Sequence, residues 1–221
     1  MAEKKKKEWE PEKITKPQLL FVEGKDEVNF FAALLKAINK SESIQVIDVG
    51  GEENFAIKVP VYTRMFTDVK TLAIVRDADE NAANTFQSVQ DTLLRKCETA
   101  RGESIAVPQK MGTFTGEKLR VGVFIMPDNQ RGGALEDLSF EMIKEEDAAK
   151  MKCVDTFIQC LSVDEKRFGH RVGKMKVQSF LAAKYEGKHL IRELGIAALD
   201  KYFDFENPCL TGLTTFLSEF N

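Results

Sequence analysis

Leu20-Phe21-Val22-Glu23-Gly24-Lys25-Asp26-Glu27 and Leu72-Ala73-Ile74-Val75-Arg76-Asp77-Ala78-Asp79 are the two stretches on which the fold turns. Each is an apolar run of strand length that ends abruptly in carboxylates, where a strand meets a loop or helix. Parallel α/β sheets collect their ligands at the carboxyl ends of strands. Two such neighbouring strands would bring Glu23, Asp77 and Asp79 into one crevice. Carboxylates about 5 Å apart repel by roughly 3 kcal/mol at an effective dielectric near 20, so three together call for a cation or a proton. Oxygen donors with no His or Cys beside them suit Mg²⁺ or Mn²⁺ better than Zn²⁺.

Outward from these stretches the pattern is regular. Pro17 to Val22 reads as a strand, Asp26 to Asn39 as a helix with Asp26 as its cap, and Ser43 to Val49 as a strand closed by Gly50-Gly51. A helix from Glu52 to Met65, disturbed at Pro60, a strand from Lys70 to Val75 and a helix from Ala82 to Arg95 follow. Alternating strands and helices imply a parallel sheet with right-handed crossovers. Arg101 to Glu117 is punctuated by Gly102, Pro108, Gly112 and Gly116 and reads as a loop or irregular hairpin. Leu119 to Met126 gives a fourth strand, ending at Asp128, and a glycine loop then opens a helix near Glu136. Beyond it, helices are expected over Leu138–Met151, Val154–Leu161, Val177–Tyr185 and Leu190–Ile196. The division expected is a charged, disordered tail (1–16), an α/β domain (17–140) and a helical extension packed on it (141–221).

Composition sets the outer bounds. Of 221 residues, 43% are hydrophobic and 30% charged, with a net charge of -3, which argues against coating nucleic acid by charge alone. No apolar run approaches the roughly 20 residues that span a bilayer, so a cytoplasmic protein is expected. Cys97, Cys153, Cys160 and Cys209 form no CxxC pair and read as free buried thiols. Lys25 lacks the glycines of a P-loop. Lys166, Arg167, His170, Arg171, Lys174 and Lys176 form a basic run that is either a solvated helix face or a track for phosphates.

The order Glu23, Gly50-Gly51, Asp77-Ala78-Asp79 resembles the Toprim domain of primases, topoisomerases, ribosomal-RNA maturases and OLD-type nucleases, over about Gln18 to Glu80. The resemblance implies a Rossmann-like parallel sheet of about four strands. It implies Glu23 as general acid/base or metal ligand, and Asp77 and Asp79 as ligands of Mg²⁺ or Mn²⁺. By likeness to the OLD-type members, Glu136 in Gly133-Ala134-Leu135-Glu136, or more weakly Asp128, would serve a second ion, and Lys174 or Lys176 would be the catalytic lysine. Lys25, Lys166, Arg167 and Arg171 are the candidate contacts to nucleic acid. No tyrosine-bearing topoisomerase domain, primase zinc module or Walker motif accompanies these residues, so the resemblance is to small stand-alone members. The expected activity is metal-dependent hydrolysis of a phosphodiester in DNA or RNA, with or without a partner protein subunit and away from membranes. The alternative is a non-catalytic Toprim module that binds nucleic acid or protein in a defence or regulatory system. A haloacid-dehalogenase phosphatase fits less well, because its Asp-x-Asp closes the opening strand.

Overall fold

The computed structural model describes residues 9–143, 147–162, 171–184 and 193–220. Its strands are β1 (Gln18–Val22), β2 (Ile44–Asp48), β3 (Thr71–Asp77), β4 (Thr113–Thr115) and β5 (Arg120–Met126). They form one sheet in the order β2-β1-β3-β5-β4, parallel except for the antiparallel edge strand β4. The sheet therefore has five strands rather than about four. The addition is Thr113-Phe114-Thr115, three residues bracketed by Gly112 and Gly116 and too short to show a strand period.

Helices α1 (Lys25–Ala37), α2 (Glu52–Thr63) and α3 (Ala82–Lys96) follow the first three parallel strands. Then come α4 (Leu135–Glu141), α5 (Ala148–Cys160), α6 (Arg171–Ala183), α7 (Leu194–Leu199) and α8 (Thr211–Ser218). Successive strand residues point to opposite faces, and the sheet sorts them that way. Leu20, Val22, Ala73, Val75, Phe124 and Met126 face α1 and the carboxyl-terminal helices, packing with Phe180, Leu213 and Phe216. Leu19, Phe21, Leu72, Ile74, Val121, Val123 and Ile125 face α2 and α3, meeting Phe55, Tyr62 and Val89. Both faces are covered, which explains why the strands read as continuous apolar runs. The carboxyl-terminal helices thus share one core with the sheet. Phe114 on the edge strand stacks on Phe216 of α8, with centroids 4.8 Å apart.

Several local expectations are corrected. The charged segment expected to be a tail through Lys16 makes contacts from Trp9 onward: Trp9 meets Tyr62 edge to face, and the Thr15 amide donates to Gln45 Oε1 at 2.8 Å. Residues 1–8 lie outside the described residues, as do Lys166, Arg167 and His170. Asp26 does not cap α1. The helix starts after Gly24, and Asp26 Oδ1 instead accepts the amide of Gly195 at 3.0 Å, tying α7 to the amino end of α1. The helix expected over Leu138–Met151 is two: α4 ends at Glu141, and α5 starts after Asp147, whose buried carboxylate pairs with Lys150 and Lys184. Helix α2 runs on through Pro60. Of the cysteines, Cys97 is buried but Cys153 and Cys160 are exposed, contrary to the buried-thiol reading.

Candidate functional site

Strand order places the site. The chain leaves β1 for β2 on one side and then crosses to β3 on the other, so connections diverge at the carboxyl ends of β1 and β3. A crevice at such a point is where open α/β sheets take ligands. Glu23 follows the last residue of β1 and Asp77 is the last residue of β3, with the two strands in register through Phe21 and Ile74.

The loop after β3 is fixed by pairing with the loop before α4. Asp79 and Gly133 exchange backbone hydrogen bonds of 3.0 and 2.8 Å, and Asp79 adopts a positive φ of 51°. Next to this pair a Cβ on Gly132 would lie 2.8 Å from the carbonyl oxygens of both Asp79 and Glu80. Only glycine allows that approach. Gly132→Ala should therefore cost about 1–3 kcal/mol in urea unfolding, the usual range for an overpacked site. An unchanged midpoint would show that the turn yields freely.

The pairing brings α4 to the strand ends. Asp77 Oδ1 accepts the amide of Leu135 at 3.0 Å, and Glu136 comes next in the same helical turn. A cleft of about 450 Å³ opens here, lined on one side by Glu27, Asp77, Asp79 and Glu136 and on the other by Arg171, Lys174 and Gln178 of α6. The α6 residues recur at helical spacing, so one face of that helix supplies the basic wall. Lys174 Nζ reaches Glu136 Oε1 at 3.6 Å across the cleft.

Glu23 is held from behind. Its Oε1 accepts Arg76 Nε at 2.9 Å and the Asp77 amide at 3.3 Å. Arg76, only 2% exposed, lies over the Phe55 ring and approaches Glu52 at 3.4 Å.

The carboxylates raise one another's affinity for protons. Asp77 keeps some surface in the cleft, but protein packs densely around it. That burial, with Glu23, Glu27 and Glu136 nearby, holds its carboxyl well above the ordinary range against the Leu135 amide. Burial is also the main reason that Glu27 rises to about 7, helped by Glu23, Glu136 and Asp26. Glu23 is raised by burial, with Arg76 opposing. Negative charge here is under-compensated, and the donors are all oxygens, which suits a hard divalent cation. In donor chemistry the residues fit Mg²⁺ or Mn²⁺. Among the described residues, however, no three His, Cys, Asp or Glu side chains are drawn together as a ready-made metal cage.

Of the residues singled out in the sequence, Asp77, Asp79, Glu136, Lys174 and Arg171 line this cleft, and Glu23 stands behind Asp77. Others are elsewhere. Asp128 caps its own turn through the amides of Gln130 and Arg131 and pairs with Arg131 Nε at 2.9 Å. Lys176 points to the far side of α6, where it pairs with Asp155 at 2.8 Å. Lys25 is exposed at the first residue of α1. Glu27 was not singled out. Its position four residues after Glu23, in the first turn of a helix, was the available signal.

These features describe a doubly wound α/β protein with a charged cleft at its topological switch point. By sequence, the chain belongs to the family described as a protein of unknown function, DUF3226, which matches residues 17–221. No curated protein and no solved structure matches the chain. Among the described residues no helix is long and apolar enough to cross a membrane.

Proposed function

We propose that the chain is a cytoplasmic, Toprim-type phosphodiester hydrolase that uses Mg²⁺ or Mn²⁺ on DNA or RNA. One observation carries the reading. An acidic wall fit for cations faces a basic wall fit for phosphate across a single cleft, with Glu136 and Lys174 bridging it at 3.6 Å. Asp77, Asp79 and Glu136 would hold the cation, which when bound supplies charge neutralisation at the phosphate oxygens. Arg171 and Lys174 would bind the non-bridging oxygens, and Lys174 would meet the charge that grows as water's oxygen bonds to phosphorus and the bridging bond breaks. Glu23, whose Oε1 accepts Arg76 Nε and the Asp77 amide, would serve as general acid/base or metal ligand, as the Toprim resemblance implies.

The test is melting with and without Mn²⁺, followed by cleavage of single- and double-stranded DNA and RNA. At ten times its dissociation constant, Mn²⁺ should stabilise the parent by about 1.4 kcal/mol and leave Asp77→Ala/Asp79→Ala unmoved. Lys174→Ala should cut cleavage about a hundredfold, as loss of a transition-state donor does, while Lys176→Ala should stay near the parent. Equal losses from both lysines would sink the assignment. The lack of a ready-made cage among the described residues favours a second reading, a non-catalytic module that binds nucleic acid or a partner protein. Nucleic-acid binding without metal stabilisation or cleavage would select it.

A further inference from the structure

We infer that the outer face of α2 and α3 pairs with the same face of a second copy of this chain, across a two-fold axis that sets the helices antiparallel. The inference is independent of the hydrolase reading, because no residue of this face lines the cleft at the strand ends. Two features carry it, one apolar and one of charge.

Helix α2 is apolar on two sides. Phe55, Val59 and Tyr62 are buried against the sheet. Ile57 and Val61, four residues apart, point the other way, and Ile57 is 64% exposed. Beside them on α3 stands Leu94, at 71% the most exposed large hydrophobic residue among those described. One groove between the two helices gathers Ile57, Pro60, Val61 and Leu94. A helix that is apolar all round belongs where both sides are covered, and apolar exposure that is clustered rather than scattered marks an interaction surface.

Charge selects the occupant. Glu53, Ile57, Val61 and Arg64 follow helical spacing, so one stripe of α2 runs from an exposed acid through two apolar side chains to an exposed base. Arg95 and Lys96 of α3 stand at the same end as Arg64, because both helices run back from the carboxyl edge of parallel strands. A second copy laid antiparallel over Ile57 and Val61 brings Glu53 of each copy to Arg64 of the other and sets the helix dipoles in opposition. Among the described residues Glu98 takes only the Nε of Arg64, at 3.0 Å, and the guanidinium has further N–H groups to offer. Parallel pairing would set like charges together. A wholly acidic or wholly basic partner would be opposed by one end of the stripe. Helices of 12 and 15 residues are about 18 and 22 Å long and about 10 Å across, so the face measures about 400 Å² per copy. A standard interface takes about 800 Å² from each partner, so this dimer is a weak one that forms at micromolar concentrations.

Sedimentation equilibrium of the full chain from about 2 to 200 μM tests this, and the parent should pass from monomer to dimer over that range. Ile57→Glu/Leu94→Glu should stay monomeric throughout, with a urea midpoint near the parent's, since both side chains are exposed. Glu53→Arg and Arg64→Glu should each weaken the dimer about tenfold, because a two-fold axis counts every contact twice and each change sets like charges together. The double variant Glu53→Arg/Arg64→Glu should return to within about threefold of the parent, a rescue that unspecific apolar sticking would not give. A parent that is monomeric at about 200 μM would overturn the inference, whatever else the groove takes. So would a dimer untouched by Ile57→Glu/Leu94→Glu, or one weakened by both charge changes and not rescued by the pair.

Discussion

Asp77→Asn should be more stable than the parent at pH 8 in chelator, by roughly 1–2 kcal/mol, and should lose all response to Mn²⁺. The two effects have one source. Asp77 is enclosed by protein with Glu23, Glu27 and Glu136 around it, so its negative form is unfavourable and its carboxyl holds its proton far above the usual range. Its folded pKa is raised above the unfolded value. The protonated state therefore favours folding, and that stability is lost as pH climbs from the ordinary carboxylate range through the raised folded value. Asparagine keeps the shape and an oxygen for the Leu135 amide, now 3.0 Å from Oδ1, without the charge. It also removes the ligand at the centre of the acidic wall, and on the hydrolase reading cleavage should fall at least a hundredfold. Urea unfolding in chelator and in Mn²⁺ separates the outcomes. A less stable Asp77→Asn in chelator would mean that Asp77 is a structural cap for α4 and nothing more.

Much of this arrangement was legible in the chain. Apolar runs ending in Glu23 and in Asp77-Ala78-Asp79 marked β1 and β3 and their acidic ends, because parallel strands buried on both faces leave a strong hydrophobic signal and a sharp end, whereas the order β2-β1-β3-β5-β4 had no such signal. The pairing of Asp79 with Gly133, which brings α4 into place, is non-local and left no signal in the chain, although Gly133 opens the motif that ends in Glu136. What was hidden depended on helical phase or on distant contacts. Lys174 and Lys176 are two residues apart and so about 200° around a helix. Which one faces the cleft follows only from the burial of Val172, Val177, Phe180 and Leu181 on the core side. Asp26 looked like a cap by position alone, and its true partner, Gly195, lies in α7. Glu27 was hidden for the same reason as the lysines: its direction is set by where α1 begins, and Gly24 moved that start earlier than a cap at Asp26 would.

Glu27 also makes the acidic wall readable through pH. Its pKa moves from the ordinary 4.5 to about 7, chiefly by burial and then by Glu23, Glu136 and Asp26. The protonated acid is the form that the fold prefers. Its contribution is therefore intact below about pH 4.5, is lost between that value and about 7, and is constant above. Glutamine imitates the protonated acid at every pH. Glu27→Gln should match the parent near pH 4.5 and exceed it by about 3 kcal/mol above pH 7.5, both in chelator, since each pKa unit corresponds to about 1.4 kcal/mol. Glu23 and Asp77 titrate in both proteins, so the difference between the two unfolding curves reports Glu27 together with the pull its charge exerts on those neighbours. On the metal-dependent reading, Mn²⁺ should then narrow the gap at pH 8, because a cation held by Asp77, Asp79 and Glu136 offsets the nearby Glu27 charge in the parent and meets an uncharged side chain in the variant. A gap that is the same at pH 5 and pH 8 would show that the substitution acts through packing. A gap that opens with pH and closes with Mn²⁺ would tie the instability of the empty acidic wall to the ion it is suited to hold, an instability of the kind binding sites carry when their charges await a ligand.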